Sequence, residues 1–277
     1  MAGIADGGQS QQADVGGRGI ESQGHRLIVY DRSLASDGGQ RHRTVDGAML
    51  IATHCAGSVL ESRGESVFDP HYWAAQGRLT ATAQGRGSSW FIKTDTDDWV
   101  LRHFRRGGLV ARAFTDRYFW SGENAVRAFA EWRLCAHLHA LGLPVPAPIA
   151  ARYSRHGLLY RCDLITRRIA GAASLSARLA HAPLPDEHWR NAGRAIARLH
   201  AAGLDHADLN AHNLLLDAQG VVSVIDLDRG RLRAKGAWCR GNLARLQRSF
   251  EKIAVRLPAG RFDENCWRQL LDGYAEG

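Results

Sequence analysis

The sequence has few lysines, no phosphate-loop signature and no long apolar run that is free of proline. Among 277 residues only Lys93, Lys235 and Lys252 are lysine, and none of the three follows a glycine. The Gly-Lys step of a Walker A loop is therefore absent, and so are the patterns G-x-S-x-G and G-x-G-x-x-G. These absences argue against P-loop kinases, α/β-hydrolases and Rossmann dehydrogenases.

Cysteine is also sparse and unpaired in the sequence. The five cysteines are scattered and include no C-x-x-C step, which argues against a disulfide scaffold or a zinc module and favours a reducing compartment. The longest stretch without charge, residues 134–151, contains Pro144, Pro146 and Pro148, and prolines so placed are unsuited to a membrane helix. No secretory signal is expected, so any membrane contact should be peripheral.

What the chain has in excess is arginine. The net charge is +8, and 33 of the 36 basic residues are arginines. Arginine forms bidentate contacts with phosphate and carboxylate, so the partner should be anionic. No RNP, helix-turn-helix or zinc pattern accompanies the charge, which argues against a nucleic acid partner. Two basic clusters stand out: Arg102, Arg105, Arg106, Arg112 and Arg117, and then Arg229, Arg231, Arg233, Lys235 and Arg240.

The hydrophobic pattern predicts strands in the first half of the chain and helices in the second. Residues 1–24 carry seven glycines and no aromatic residue, which is typical of a disordered tail. Further elements follow from apolar periodicity and turn residues: a hairpin over 79–92, a strand over 99–102, a helix over 123–141, a hairpin over 148–169, a helix over 186–202, strands at 214–216 and 221–225, and helical sequence over 240–274. This order predicts an α+β fold with two lobes.

The densest polar segment, residues 206–213, follows a predicted helix and precedes a predicted hairpin. Its sequence, HADLNAHN, places Asp208 two residues after His206 and five before Asn213, as in the protein-kinase pattern H-R-D-L-x-x-x-N. Asp226 follows 18 residues after Asp208, at the end of a predicted strand. Phosphoryl transfer needs a carboxylate for the acceptor hydroxyl and oxygen ligands for Mg²⁺. We therefore expect Asp208 to be catalytic, with Asn213 and Asp226 as metal ligands.

Two alternative interpretations of this segment stay open. An Asp- and Asn-rich turn caps local backbone in many proteins, although the spacing and the downstream strand argue against it here. A metal cluster of His200, His206 and His212 is a weaker alternative, because six-residue steps place no two of them on adjacent helical turns.

Upstream residues fit the same chemistry more loosely. The backbone around Gly85 and Gly87 would suit nucleotide phosphates, although a hairpin turn needs glycines in any case. Arg102 stands where the kinase pattern V-A-I-K has lysine, and its expected partner is Glu131 on the helix predicted over 123–141. A solvent-facing glutamate is the competing interpretation of Glu131.

Over residues 80–275 the chain resembles the 3-deoxy-D-manno-octulosonic acid (Kdo) kinases of Gram-negative lipopolysaccharide biosynthesis. The resemblance is carried by five segments: GRG at 85–87, WVLRHFRRGG at 99–108, FAEW at 129–132, GLPVPAP at 142–148 and HADLNAHN at 206–213. It implies a bilobal protein-kinase-like fold, with a small, mainly β N-lobe (25–163, with one helix) and a larger, mainly helical C-lobe (164–277).

The resemblance also implies an activity and a place. The expected reaction is transfer of the ATP γ-phosphate to the 4-hydroxyl of Kdo on lipid A, with Mg²⁺, at the cytoplasmic side of the bacterial inner membrane through peripheral contact. Adenine should lie near Asp163 and Ile165, between the lobes. No protein partner is expected. The kinase lysine two residues after the catalytic aspartate is Asn210 here, and Arg86 or Arg229 could replace it.

Other functions compete with this one. A kinase of the same fold, similar to aminoglycoside phosphotransferases, could phosphorylate another small-molecule or sugar hydroxyl, although a cationic acceptor would favour an acidic lobe. A non-catalytic pseudokinase should have lost Asp208, Asn213 or Asp226, and all three are present.

Overall fold

Among the residues that the structure describes, eight strands form an antiparallel sheet in the N-terminal half of the protein. The computed structural model describes residues 38–55, 59–83, 88–105 and 116–277, and the tail predicted over 1–24 lies outside them. The strand order is β1-β2-β7-β8-β5-β4-β3, with β6 also paired to β8. The strands are β1 (Gly39–Arg43), β2 (Gly47–Ala52), β3 (Leu79–Ala83), β4 (Ser88–Lys93), β5 (Asp98–His103), β6 (Tyr118–Phe119), β7 (Pro148–His156) and β8 (Leu159–Arg167).

Helices cover both faces of this sheet. Helix α3 (Arg127–Ala140) packs Phe129 and Trp132 against Leu164 and neighbouring side chains on one face. Helices α1 (Val59–Arg63) and α2 (Pro70–Ala75) belong to the opposite face, where Trp73 packs with Ile165. Because successive strand residues point to opposite faces, each residue of β5 and β8 is assigned to one of these two layers.

The C-terminal half is mainly helical. Its helices are α4 (Leu175–His181), α5 (Asp186–Ala201), α6 (Trp238–Ala254) and α7 (Glu264–Glu276), and its short strands are β9 (Ala173–Ser174), β10 (Leu204–Asp205), β11 (Leu214–Leu216), β12 (Val222–Val224) and β13 (Arg231–Leu232). A third apolar core joins these elements to Leu134 and Leu138 of α3, so α3 contributes to both the sheet core and the helical core.

Two glycines bring α5 and α7 into backbone contact. A Cβ atom on Gly193 would lie 2.0 Å from the carbonyl oxygen of Leu270, and one on Gly273 would lie 2.1 Å from that of Arg190. Both distances are far inside van der Waals contact, so only glycine permits this spacing of the two helices.

The predicted order of strands and helices is confirmed for most of the described chain. The short helices α1, α2 and α4 and the strands β1, β6, β9, β10 and β13 were not predicted. Helix α2 has a recognisable start, because Asp69 accepts a hydrogen bond from the His71 N–H and Pro70 occupies the first turn. Helices α1 and α4 are five and seven residues long. Strand β8 crosses the predicted lobe boundary at 163/164, so the sheet continues to Arg167. Within the part of the chain that the structure describes, no helix combines the length and apolar character needed to cross a bilayer.

Candidate active site

His206 fixes the shape of the loop that carries Asp208. Its ring is buried, its Nδ1 accepts a hydrogen bond from the Asp208 N–H (3.1 Å), and its Nε2 donates to the Ile225 carbonyl (3.1 Å). This pattern requires the neutral tautomer with the proton on Nε2. Burial lowers the pKa of His206, which favours the same neutral form. The Asp208 carboxylate itself is exposed.

The segment that carries Asp226 is bound to the same loop through Ile225. The Ile225 N–H donates to the Asn213 carbonyl (3.0 Å), and the Ile225 carbonyl accepts from His206. Asn213 is buried and donates its side-chain N–H to the Asp208 carbonyl (3.0 Å). Asp208, Asn213 and Asp226 are therefore brought to one site, as the sequence predicts.

Arg102 connects β5 to this site. It lies on the α3 face of the sheet, donates through Nη2 to Glu131 Oε2 and donates through Nη1 to Asp226 Oδ1. Its guanidinium also lies over the Phe104 ring, 4.5 Å from the centroid. The predicted Arg102–Glu131 pair is present, and the contact with Asp226 adds a link that the sequence did not indicate.

Glu131 is buried rather than solvent-facing, with 4% of the residue exposed. Burial raises the pKa of Glu131 to about 7, while the Arg102 guanidinium acts in the opposite direction. The second carboxylate oxygen, Oε1, accepts a hydrogen bond from the Leu227 N–H (3.1 Å). Glu131 therefore contacts both Arg102 and the backbone beside Asp226.

The oxygen donors at this site fit a magnesium ion. The Asn213 side-chain N–H donates to the Asp208 carbonyl, so its amide oxygen would be available to a metal ion together with the Asp226 carboxylate. Both are hard oxygen ligands of the kind that Mg²⁺ prefers, and Mg²⁺ commonly uses only one or two protein ligands together with substrate phosphates. Among the described residues no group of three or more His, Cys, Asp and Glu side chains forms an all-protein metal site.

Helix α6 holds the loop that carries Asp208 through three side chains that were not predicted from the sequence. Asn242 Oδ1 accepts from the His206 N–H (3.1 Å), Arg245 donates to the His206 carbonyl (3.2 Å), and Ser249 Oγ accepts from the Ala211 N–H (3.2 Å). Positions 242, 245 and 249 share one helical face. A polar face within the region predicted to be helical is therefore the sequence signal that indicates these contacts with the loop.

Comparison with known proteins identifies the family. The model of the lipopolysaccharide kinase (Kdo/WaaP) family matches residues 70–274. The chain belongs to this family. It is therefore a phosphotransferase, and the site just described is the candidate active site of a lipopolysaccharide kinase.

Curated relatives agree with this assignment. A 3-deoxy-D-manno-octulosonic acid kinase of Xylella fastidiosa is 47% identical over 189 residues, which cover 68% of this chain and 75% of that protein. The kinase of the same name from Vibrio cholerae is 41% identical over 184 residues (66% and 78%). That from Photobacterium profundum is 39% identical over 217 residues (78% and 92%).

Not every predicted site residue of this lipopolysaccharide kinase joins the cluster. The side chains of Asp163 and Ile165 lie on the sheet face opposite Arg102: Ile165 packs with the α2 layer, and Asp163 binds His103 Nδ1 (2.6 Å) and Arg152 Nη2 (2.7 Å). Both side chains therefore have partners away from Arg102, and the location of adenine near these two residues stays a prediction. Gly85 and Gly87 lie outside the described residues.

The three histidines of the alternative metal cluster have separate partners. His200 Nδ1 lies 2.8 Å from the Tyr274 hydroxyl, His212 Nδ1 lies 2.7 Å from Ser176 Oγ, and His206 binds Ile225. The structure does not bring them together, so this alternative is wrong.

Proposed function

We propose that the protein phosphorylates Kdo in lipopolysaccharide core biosynthesis, and that it transfers the ATP γ-phosphate to the 4-hydroxyl of Kdo on lipid A. The observation that carries the proposal is the convergence of Asp208, Asn213, Asp226 and Arg102 at one site. The family match and the names of the relatives support Kdo as the sugar.

In this proposal, Asp208 is the residue that orients the acceptor hydroxyl. Its backbone is held on both sides, because its N–H binds His206 and its carbonyl accepts from Asn213, while the carboxylate stays exposed for an incoming sugar. As the sugar oxygen forms its bond to phosphorus, the hydroxyl proton passes to Asp208 and the bond to ADP breaks. Mg²⁺, when bound, neutralises phosphate charge, and Asn213 and Asp226 would hold it.

Arg102 would supply further positive charge where the phosphates lie. Glu131 fixes its guanidinium, so the charge is oriented before substrate arrives, and such preorganisation is a major source of transition-state stabilisation. We further propose that the sheet with α3 and the C-terminal helices form the two lobes of a kinase-like fold, with the boundary after Arg167.

We also propose peripheral contact with an anionic membrane, through a patch at the β6 strand and the β7–β8 turn. Phe119 and Leu158 are 71% and 73% exposed, and the Trp120 N–H donates to the Leu158 carbonyl (2.9 Å). Exposed arginines flank these apolar side chains: Arg117, Arg155 and Arg161. Apolar side chains beside cationic ones suit the interface of a bilayer that carries negative charge.

The decisive experiment compares wild type with Asp208→Asn in phosphate transfer from Mg-ATP to Kdo–lipid A. Transfer should fall by at least about 10³-fold in the variant, because the group that orients the hydroxyl is lost, while nucleotide affinity and thermal midpoint stay unchanged. Product analysis by NMR locates the phosphate on the sugar ring. Undiminished transfer by the variant would refute the mechanism. ATP binding by wild type without transfer to Kdo–lipid A would favour another acceptor hydroxyl.

A further inference from the structure

Helix α3 holds the Asp226–Asp228 turn at two points. Glu131 Oε1 accepts from the Leu227 N–H (3.1 Å), and one turn earlier Arg127 donates through Nε to Asp228 Oδ1 (2.9 Å) and through Nη2 to Asp228 Oδ2. Positions i and i+4 lie on one helical face. The same face of α3 therefore contacts two consecutive residues after Asp226.

The Arg127–Asp228 pair is a partly buried pair rather than a surface one. Only 21% and 19% of the two side chains are exposed. The Arg127 guanidinium lies over the Tyr118 ring at 4.8 Å from its centroid, and the Arg127 backbone N–H donates to the Tyr160 hydroxyl (3.3 Å). These two contacts hold Arg127 in place independently of Asp228. The bidentate arginine–carboxylate contact with Asp228 adds geometric specificity.

The turn itself has a backbone that needs such support. Asp226 and Arg229 have φ angles of 60° and 61°, in the left-handed region that residues other than glycine rarely occupy. Unfavourable backbone of this kind persists only where surrounding contacts determine it. The side-chain contacts to this turn from α3 and β5 are those of Arg102, Glu131 and Arg127.

We propose that Arg127 is a positioning residue for the metal-binding carboxylate and acts through Asp228. By occupying both oxygens of Asp228, it leaves Asp226 as the carboxylate of this turn that is available to a divalent cation. Because Glu131 and Arg127 sit on one helix, a displacement of α3 would release Arg102 and the turn together. The inference rests on the proposed function for its catalytic consequence, but the conformational claim stands apart from it.

The test measures the Mg²⁺ concentration that gives half-maximal binding of a fluorescent ADP analogue. Arg127→Ala and Asp228→Asn should each raise it about 10- to 100-fold, the range seen when outer partners of a metal ligand are removed. The double variant should be no worse than the worse single one, and Arg127→Lys should recover only part of the loss. The KM for the acceptor should stay unchanged while kcat falls. The matched control is Arg194→Ala on α5, whose partners Glu187 and Glu276 are exposed.

A second readout does not depend on nucleotide or acceptor. The Leu227 N–H donates to Glu131, and the Gly230 N–H donates to the Leu227 carbonyl. Hydrogen exchange of these two N–H groups should be faster in Arg127→Ala and unchanged in Arg194→Ala. Unchanged exchange together with a wild-type Mg²⁺ requirement in the folded Asp228→Asn variant would overturn the proposal. If wild type binds no Mg-nucleotide, the proposed function fails, while the exchange comparison still decides the role of Arg127.

Discussion

Replacing Arg102 with lysine restores the residue that the kinase pattern V-A-I-K has at this position, yet the structure predicts a loss of activity. Arg102 donates through separate nitrogens to Glu131 and Asp226, two carboxylates on different segments. A lysine ammonium keeps the charge but lacks the planar fork that serves both partners in fixed directions. We therefore expect Arg102→Lys to lose at least one of the two charge-assisted bonds.

The size of the effect follows from those bonds. A hydrogen bond to a charged group contributes about 1.5–3 kcal/mol, and each 1.36 kcal/mol in the barrier is tenfold in rate. The kcat of Arg102→Lys should therefore fall roughly 10- to 100-fold. Because Glu131 would lose a partner within a buried site, the thermal midpoint should fall as well.

The assay is steady-state phosphate transfer with Mg-ATP and Kdo–lipid A, accompanied by thermal unfolding. Arg78→Lys is the matched control, because Arg78 Nη2 contacts both oxygens of Asp95 at 2.8 and 3.0 Å on the surface. Exposed pairs contribute at most about 1 kcal/mol, so this control should behave as wild type. An Arg102→Lys enzyme with kcat within twofold of wild type would refute the reasoning.

Two further predictions concern the surface and the helical core. Phe119→Asp should weaken flotation with phosphatidylglycerol vesicles at low salt without changing the thermal midpoint, and binding equal to wild type would contradict the membrane patch. Burial lowers the pKa of His200 to about 4, with a smaller opposing effect of Asp205. The pKa of histidine in the unfolded chain is about 6.5. Because the folded pKa is the lower one, the contribution of His200 to stability is fully present above about pH 6.5 and is lost as the pH falls towards 4. Urea unfolding should show a loss of about 2 kcal/mol over that range once solvent screening is allowed for, and His200→Asn should flatten it.

The clustering of the proposed site residues was predictable from their spacing along the chain. Asp208, Asn213 and Asp226 lie within 19 residues of sequence, on either side of one hairpin, so local structure alone brings them close. Glu131 and Arg102 are 29 residues apart and were still paired in advance, since the kinase pattern supplies both positions.

Residues that act across long sequence separations were missed. Arg127 and Asp228 are 101 positions apart, and nothing in either local sequence distinguishes them from solvated surface charges. The face of a strand residue also depends on register, and a shift by one residue reverses it. The resemblance predicts adenine near Asp163 and Ile165, and the pairing of β8 with β5 shows that their side chains lie on the face away from Arg102.

The short helices in the first third of the chain were not predicted from the sequence for a different reason. Helices α1 and α2 have five and six residues, too few to show a 3.6-residue period. Their formation depends on the sheet, since Leu60 of α1 and Trp73 of α2 are buried in one apolar cluster with strand residues such as Ile165 and Trp99. Tertiary packing therefore decides their conformation more than local propensity does.

The glycine contact between α5 and α7 has a consequence for the order in which the protein can acquire its structure during synthesis. Helix α5 ends at Ala201, and α7 begins only at Glu264. The surface of α5 around Gly193 therefore remains without the backbone of α7 while more than 60 further residues are translated. At roughly 5–20 residues per second, the ribosome leaves this surface uncovered for several seconds, an interval in which chaperone binding or association with another nascent chain competes with closure of the helical core.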